Sequence, residues 1–216
     1  MPDLGSVGPS IAIGLLIIVM LWFTFGTQRN IRKGNDLLTW LQGGLPLIGP
    51  RTTIRWLGSS AVELTIVEAA DPFRDATVVV VLEPRDVGLL WAFARSRGRR
   101  DFIILRTNLR RPPRFSADAG DPTGWTGRLE GAADASLRQT DWPDGVVVHL
   151  DGNADETLVR EAWERLGRAT AGIWRLTIQP VVPHLEVHVR PPDRGSVSAH
   201  QLVSGVVDLA RQLAAR

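Results

Sequence analysis

The sequence predicts an α+β protein in which one N-terminal transmembrane helix precedes a cytoplasmic mixed-sheet domain. Three observations predict this fold class: an uncharged apolar run near the N-terminus, two segments with the order strand, helix, strand, and a C-terminal stretch with helical apolar periodicity. We expect six parts along the chain: a short extracytoplasmic tail 1–9, a transmembrane helix 10–27, a juxtamembrane interfacial segment 28–50, a first α/β unit 51–115, a long surface loop 116–144, and a second α/β unit with a C-terminal helix 145–216.

The apolar run is long enough to suggest a membrane span. No charged residue lies between Asp3 and Arg29. The densest part, Ile11 to Phe25, corresponds to about 23 Å of helix, and uncharged neighbours extend it toward the hydrocarbon thickness of about 30 Å. Aromatic and basic residues that suit a membrane interface follow it, and we predict interfacial positions for Trp22, Arg29, Arg32, Lys33 and Trp40.

The charges around the run favour a retained signal-anchor. A cleaved signal peptide has basic residues before its apolar part, whereas here the basic residues come after it. Basic flanks stay on the cytoplasmic side. We therefore expect a single-pass protein of the plasma membrane, with its N-terminus outside and its domain in the cytoplasm. A signal peptide, a reversed anchor and a soluble core helix are the alternatives.

Composition excludes some functions. The chain has no cysteine, which excludes disulfides and thiol catalysis, and this absence suits a reducing compartment. The formal net charge is +2, so no overall field attracts nucleic acid.

The juxtamembrane segment predicts a short amphipathic helix. Asp36 is a candidate N-cap for the residues Leu37 to Leu41, and the Gly and Pro residues that follow prevent a long continuation. Such a helix either lies in the membrane interface with its Trp and Leu side chains toward lipid, or packs on its own domain.

The first α/β unit begins with a strand meander. Residues 52–57 and 61–69 alternate apolar and polar side chains around the turn signal Gly-Ser-Ser. A β-branched run, 77–84, predicts a buried strand. Residues 85–98 predict a helix whose apolar stripe contains Val87, Leu90, Trp91 and Ala94, and residues 101–109 predict another strand.

The second unit repeats this order. Residues 145–152 predict a strand, 154–172 a helix with Asp155 as its cap, and 173–180 a further strand. Each strand–helix–strand unit predicts a right-handed parallel crossover. An alternating strand follows the turn at 180–183, and the final helix has Leu202, Val206, Leu209 and Leu213 on one face.

The strongest candidate metal site is the segment His-Leu-Glu-Val-His. In a strand, His184, Glu186 and His188 point to the same face, and two imidazoles with a carboxylate suit a divalent metal. The simpler interpretation is an amphipathic strand with a polar outer face. A second catalytic possibility pairs His149 with Asp151 at the end of a strand. The chain has no P-loop, no dinucleotide-binding glycine motif and no nucleophile-elbow motif.

Arginines are concentrated between residues 95 and 114. They predict a surface for anionic lipid or an acidic protein partner, formed by Arg95, Arg97, Arg99, Arg100, Arg110, Arg111 and Arg114. Pairing with the acids of 118–156 is the simpler alternative, and nucleic acid is disfavoured because no stacking aromatic residues are interleaved with the arginines.

Together these patterns favour a membrane-anchored accessory, scaffold or assembly protein that binds the bilayer and a protein partner. We expect no catalytic residues and no cofactor. The competing hypotheses are a membrane-tethered hydrolase that uses the His/Glu/His site, and an arginine-rich lipid-surface binder.

Overall fold

A computed structural model describes residues 4–127, 137–192 and 197–215. Within these ranges the chain is an α+β protein with an apolar N-terminal helix and one open sheet. The α-helices are α1 (Leu4–Gln42), α2 (Gly88–Ser96), α3 (Glu156–Arg168) and α4 (Ala199–Ala214), and a 3-10 turn (Leu45–Leu47) follows α1.

All nine strands belong to the same sheet, and every neighbouring pair is antiparallel. The strands are β1 (Thr53–Trp56), β2 (Ala61–Ile66), β3 (Phe73–Val81), β4 (Phe102–Leu109), β5 (Ala117–Gly120), β6 (Arg138–Asp141), β7 (Val147–Leu150), β8 (Ile173–Ile178) and β9 (Leu185–Val189). Their order across the sheet is β1-β2-β3-β4-β9-β8-β5-β7-β6. The two α/β units therefore share one sheet, which the sequence left open.

The predicted parallel crossover is wrong for the first unit, whereas the two strands of the second unit are parallel as predicted. β3 and β4 are antiparallel neighbours although α2 connects them, so this connection leaves and re-enters the same end of the sheet. β7 and β8 do run in the same direction, but β5 lies between them and pairs antiparallel with both. The order strand, helix, strand in a sequence does not show whether the two strands are antiparallel neighbours or parallel strands with a third strand between them. In the second unit this third strand, β5, comes from an earlier part of the chain.

The predicted surface loop 116–144 is also wrong in part. β5 occupies an interior position of the sheet with Ala117 and Ala119 buried, and β6 forms an edge strand. The central residues of that prediction, 128–136, lie outside the described residues. β5 escapes sequence analysis because its residues, Ala-Asp-Ala-Gly, have weak strand propensity and are held by their neighbours on both sides.

α1 is one continuous helix of 39 residues, about 58 Å long. The separate short helix capped by Asp36 is therefore wrong, because Asp36 lies inside α1. The helix is long and apolar enough to cross a membrane by length and composition, and only 6% of its most apolar window is buried. The last turns of α1 are buried instead: Leu37, Leu38 and Leu41 lie in the core of the domain.

The core lies between the sheet and three helical segments. Inward side chains of the central strands, such as Val78, Leu105 and Val187, pack with the C-terminal end of α1, with α3 and with α4. The predicted stripe of α4 is confirmed, since Leu202, Val206, Leu209 and Leu213 are all buried. Asp155 caps α3 as predicted by accepting the N–H of Leu158.

α2 departs from its predicted packing. Ala94 is buried, but Val87 and Leu90 are 46% and 49% exposed. Trp91 of this stripe contacts Glu83 and Trp22. The other large apolar side chains of the stripe are exposed, so α2 contributes little to the core.

Candidate functional site

Among the described residues, a cluster of buried polar side chains lies at the junction where α1 meets α2, the end of β3 and the start of β4. The indole Nε1 of Trp22 donates to the carbonyl oxygen of Arg85 at 3.0 Å, and its ring packs 6.3 Å from that of Trp91. One turn later Gly26 lies against the backbone of Arg85 and Asp86, where a Cβ atom would overlap the Arg85 carbonyl oxygen. The missing side chain at Gly26 lets the two segments touch.

Two buried carboxylates hold this junction together. Glu83 is 2% exposed and accepts from Trp91 Nε1 at 2.6 Å and from Arg95 at 3.1 Å. Asp101 is 5% exposed and accepts from both terminal nitrogens of Arg85 at 2.9 Å, from the backbone N–H of Glu83 at 2.7 Å, and from Lys33.

α1 contributes directly to this cluster. Asn30 is fully buried; its amide nitrogen donates to the carbonyl oxygen of Glu83 at 3.0 Å, and its amide oxygen accepts from Arg85 at 3.1 Å. Lys33, one turn further, forms an ion pair with Asp101. Polar groups of α1, β3, β4 and α2 thus satisfy each other, and a buried network of this kind fixes one arrangement of the elements that contribute to it.

The neighbouring cations Arg85 and Lys33 keep the carboxyl group of Asp101 ionised. Burial alone raises the pKa of this carboxyl, but hydrogen bonds from Arg85 and Lys33 outweigh burial and hold the pKa below its ordinary value. The carboxylate therefore remains charged and paired at neutral pH. Each carboxylate of the cluster is occupied by several donors of the same chain, as in a structural ion-pair cluster.

A groove of about 470 Å³ lies beside the junction. It runs between α1 and α2, and Arg29 and Arg85 are its charged members. The residues that line it are Ile18, Leu21, Trp22, Phe25, Gly26, Arg29, Arg85 and Trp91.

The five predicted interface residues separate into two groups. Trp22 is half exposed, and Arg29 and Arg32 are exposed. Lys33 instead pairs within the domain. Trp40 is about 27 Å further along the helix than Trp22, donates to the carbonyl oxygen of Val197 at 2.9 Å and packs on the core. The interfacial prediction for Trp40 is therefore wrong, and the alternative of packing on its own domain is correct.

The predicted arginine surface is divided by β4. Arg95, Arg97, Arg99 and Arg100 lie before this strand, and Arg110, Arg111 and Arg114 lie after it, about 27 Å away at the other end of the sheet. Several have partners inside the domain: Arg95 pairs with Glu83, Arg99 lies over the ring of Trp125, and Arg110 donates to the carbonyl oxygen of Ala69. A single seven-arginine surface is therefore wrong.

The candidate metal residues do not form one ligand set. The side chain of His184 is turned to the backbone, where its Nδ1 accepts the N–H of Leu109 at 2.9 Å. Glu186 lies 2.5 Å from Nε2 of His188 and also pairs with Arg106 at 2.7 Å. Within the described ranges, no group of three or more His, Asp or Glu side chains is placed to hold a metal ion.

Glu186 belongs instead to a row of polar side chains on the sheet face opposite the helices. The strand register aligns Arg106, Glu186, Thr177 and Asp118 across four strands. Asp118 accepts from Arg175 at 2.6 Å and from Thr177 at 2.8 Å. Burial alone raises the pKa of Glu186, but His188 and Arg106 lower it to about 2. The polar outer face predicted as the simpler alternative fits this pairing.

The proposed His149–Asp151 pair is not supported by the contacts of Asp151. Its carboxylate accepts the backbone N–H groups of Ser116 at 2.6 Å and of Asn153 at 2.7 Å. His149 is buried and stands opposite Asp118 and Gln139 in the strand register. Asp151 therefore stabilises the turn between β7 and α3 and links it to the residue before β5.

The sequence does not reveal the junction cluster, which consists of Asn30, Lys33, Glu83, Arg85 and Asp101. Glu83, Arg85 and Asp101 lie at the edges of predicted elements, and Asn30 follows the apolar run. Their contacts span more than 50 positions of sequence in the case of Asn30, so no local spacing reveals them. No family model matches the chain, and a search of curated proteins finds no similar one.

Proposed function

We propose that the protein is a membrane-anchored, non-catalytic accessory protein that holds its sheet domain in a fixed orientation at the cytoplasmic face of the plasma membrane. In this proposal the N-terminal part of α1 spans the bilayer once, with the N-terminus outside. The domain recruits or braces a protein partner at the membrane surface.

One observation carries the proposal: α1 continues without interruption from its exposed apolar part into the core of the domain. A flexible tether would let the domain rotate freely. Here the helix is fixed by Trp22, Asn30 and Lys33 at one end of the sheet and by buried leucines further on. An anchor built in this way serves a domain whose orientation matters.

The orientation determines which surface is presented to a partner. The helices α3 and α4 and the end of α1 occupy one face of the sheet. The other face displays paired charges together with half-buried apolar side chains, among them Val79, Val81 and Ile104. We propose that this open face is the surface that contacts the partner, because its ion pairs are already formed and its apolar side chains remain available.

Site-specific crosslinking in native membranes tests this proposal. A photoreactive amino acid at Val79 or Ile104 should give a discrete adduct with one protein. The matched control is the same amino acid at Glu161, an exposed position on α3, which should give no adduct of that size. The proposal fails if neither sheet position gives a protein adduct and the chain is extracted as a bare monomer by mild detergent.

A further inference from the structure

α2 carries an apolar surface that no other described part of the chain covers. Leu89 is 90% exposed, Phe93 59%, Leu90 49% and Val87 46%. α2 is only nine residues long, so large exposed apolar side chains make up much of its outer surface. A concentrated patch of this kind on an otherwise polar domain marks a surface of interaction.

The place of α2 in the fold relates this patch to α1. The helix connects the end of β3 to the start of β4 at one end of the sheet, and its first residue, Gly88, packs against the indole of Trp22. Trp22 also contacts Trp91. The apolar patch of α2 and the exposed apolar part of α1 therefore adjoin each other, with the groove between them.

The position of Trp22 along α1 indicates where a bilayer crossed by this helix would end. From Leu4 to Trp22 the helix rises about 27 Å, close to the hydrocarbon thickness of about 30 Å. A bilayer crossed by this part of α1 ends near Trp22, which is the level of α2. Leu57, 47% exposed, lies in the turn between β1 and β2 at the same end of the sheet, and Ser59 in that turn bonds to Asp86 beside α2 at 2.5 Å.

The charges next to the patch complement an anionic surface. Arg97 lies 5.0 Å above the ring of Phe93 and is exposed, and Arg29 borders the groove. Arg99 and Arg100, which follow α2, are half-buried and turned to Trp125 and to backbone carbonyl oxygens, so Arg97 and Arg29 are the cations of this surface. Apolar side chains flanked by arginines are the composition of helices that lie in the interface of anionic membranes.

We propose that α2 lies in the interfacial layer of an anionic phospholipid bilayer. Leu89, Leu90 and Phe93 contact acyl chains, and Arg97 reaches the phosphate groups. The protein then holds the membrane at two places, the span and α2, and this second contact limits rotation of the domain about the axis of α1. This inference rests on the membrane anchoring in the proposed function.

The lipid bilayer is favoured over a second copy of the chain as the occupant. The patch adjoins the apolar surface of α1 through the contact of Trp22 with Trp91, and the groove between them is lined mainly by apolar side chains, so the environment that covers one covers the other. Arg97 and Arg29 would repel the same arginines in a second copy, whereas they attract anionic lipid.

Single-cysteine probes in the full-length protein test the inference, and the absence of native cysteine makes each label unique. The Leu89→Cys variant carries an environment-sensitive fluorophore, and the protein is reconstituted in nanodiscs of phosphatidylcholine and phosphatidylglycerol. We expect a lipid-attached quencher to reduce its fluorescence at least about twofold more than a water-soluble quencher. The control Val181→Cys, 69% exposed in the turn after β8, should respond in the opposite order.

A second comparison tests the role of charge. In the same nanodiscs, Arg97→Gln should weaken quenching of the Leu89 probe by the lipid-attached quencher. In nanodiscs of phosphatidylcholine alone, Arg97→Gln should have little further effect. Equal quenching with and without phosphatidylglycerol would overturn the anionic-lipid part of the inference.

A Leu16→Cys probe in α1 separates this inference from the proposed function. If Leu16 is reached by the lipid-attached quencher and Leu89 only by the aqueous quencher, the inference is wrong and the span remains. If both positions are reached only by the aqueous quencher, the membrane anchoring itself is wrong. A Leu89 probe that is shielded from both quenchers and becomes accessible on dilution to one protein per disc would identify a second copy as the occupant and overturn the inference.

Discussion

At the scale of single residues, the two buried carboxylates of the junction are both paired with cations. Asp101 and Glu83 are almost fully buried, and each carboxylate accepts from several donors. Removing one partner from a buried ion pair costs about 3–5 kcal/mol, because the other charge is left in a poorly solvated place. These residues therefore specify where α1 meets the sheet. Glu186 on the open sheet face is also paired, with His188 and Arg106, but it is less buried.

Glu186 predicts a pH dependence of stability. Its ordinary pKa is 4.5 and its pKa in the folded protein is about 2, so the unfolded state binds more protons between these values. The stabilisation is therefore complete above about pH 4.5 and is lost as the pH falls through about 2. At neutral pH, Glu186→Gln should lower the free energy of unfolding by on the order of 2 kcal/mol, allowing for solvent screening.

Denaturant unfolding of the full chain in detergent at neutral and acidic pH measures this effect. The difference between wild type and Glu186→Gln should shrink below about pH 4.5. Glu164→Gln is the control, because Glu164 is exposed and its ion pair with Arg168 is 3.9 Å long; it should have almost no effect. An identical pH dependence in wild type and Glu186→Gln would contradict the assignment.

At the scale of elements, sequence patterns predicted the helices and strands whose own residues have a clear apolar periodicity. The strands β2 and β4 and the helices α3 and α4 lie where alternation and helical periodicity place them. The errors of the sequence prediction concern which elements pack or pair with each other. The residues of α2 have a helical apolar stripe, yet of that stripe only Ala94 is buried, and Val87 and Leu90 remain exposed. β5 has a weak strand sequence and forms through pairing with β7 and β8.

The same distinction applies to the candidate site. The polar end of the apolar run was visible in the sequence, and Arg29, Arg32 and Lys33 were named from it. The partners of α1 in the junction cluster could not be named, because Glu83 and Asp101 approach α1 only through the pairing of β3 with β4.

The junction of α1 with α2 predicts a position-specific effect of two glycine substitutions. Gly26→Ala introduces a methyl group into the backbone contact with Arg85, and overpacking of this kind costs about 1–3 kcal/mol. Gly14→Ala is the matched control, since no atom outside its own helix lies within 4 Å of the new methyl group. Gly14→Ala should leave the stability unchanged or raise it by up to about 1 kcal/mol through helix propensity.

Thermal and denaturant unfolding of both variants in the same detergent would measure these effects. A Gly26→Ala protein as stable as Gly14→Ala would show that α1 does not press against the Arg85 segment. A loss of stability confined to Gly26→Ala supports the close approach of the two segments.

At the scale of the whole molecule, α1 has an exposed apolar part and a part that is buried in the domain. The first part of α1 exposes Ile, Leu, Val and Phe side chains, and its last part is buried under the sheet. The junction cluster lies between these parts. The orientation of the domain relative to α1 is therefore set by this cluster and by the buried leucines, which hold the open sheet face at a fixed angle to the helix.

The distance between spin labels on α1 and on the domain tests this central claim most directly. Labels at Leu16→Cys and at Gln212→Cys on α4, both exposed positions, can be measured by double electron–electron resonance in nanodiscs. Because the helix is continuous and fixed at the junction, we predict a single narrow distance distribution. A broad distribution or several separate distances would contradict the account, since it would mean that the domain moves freely about its anchor.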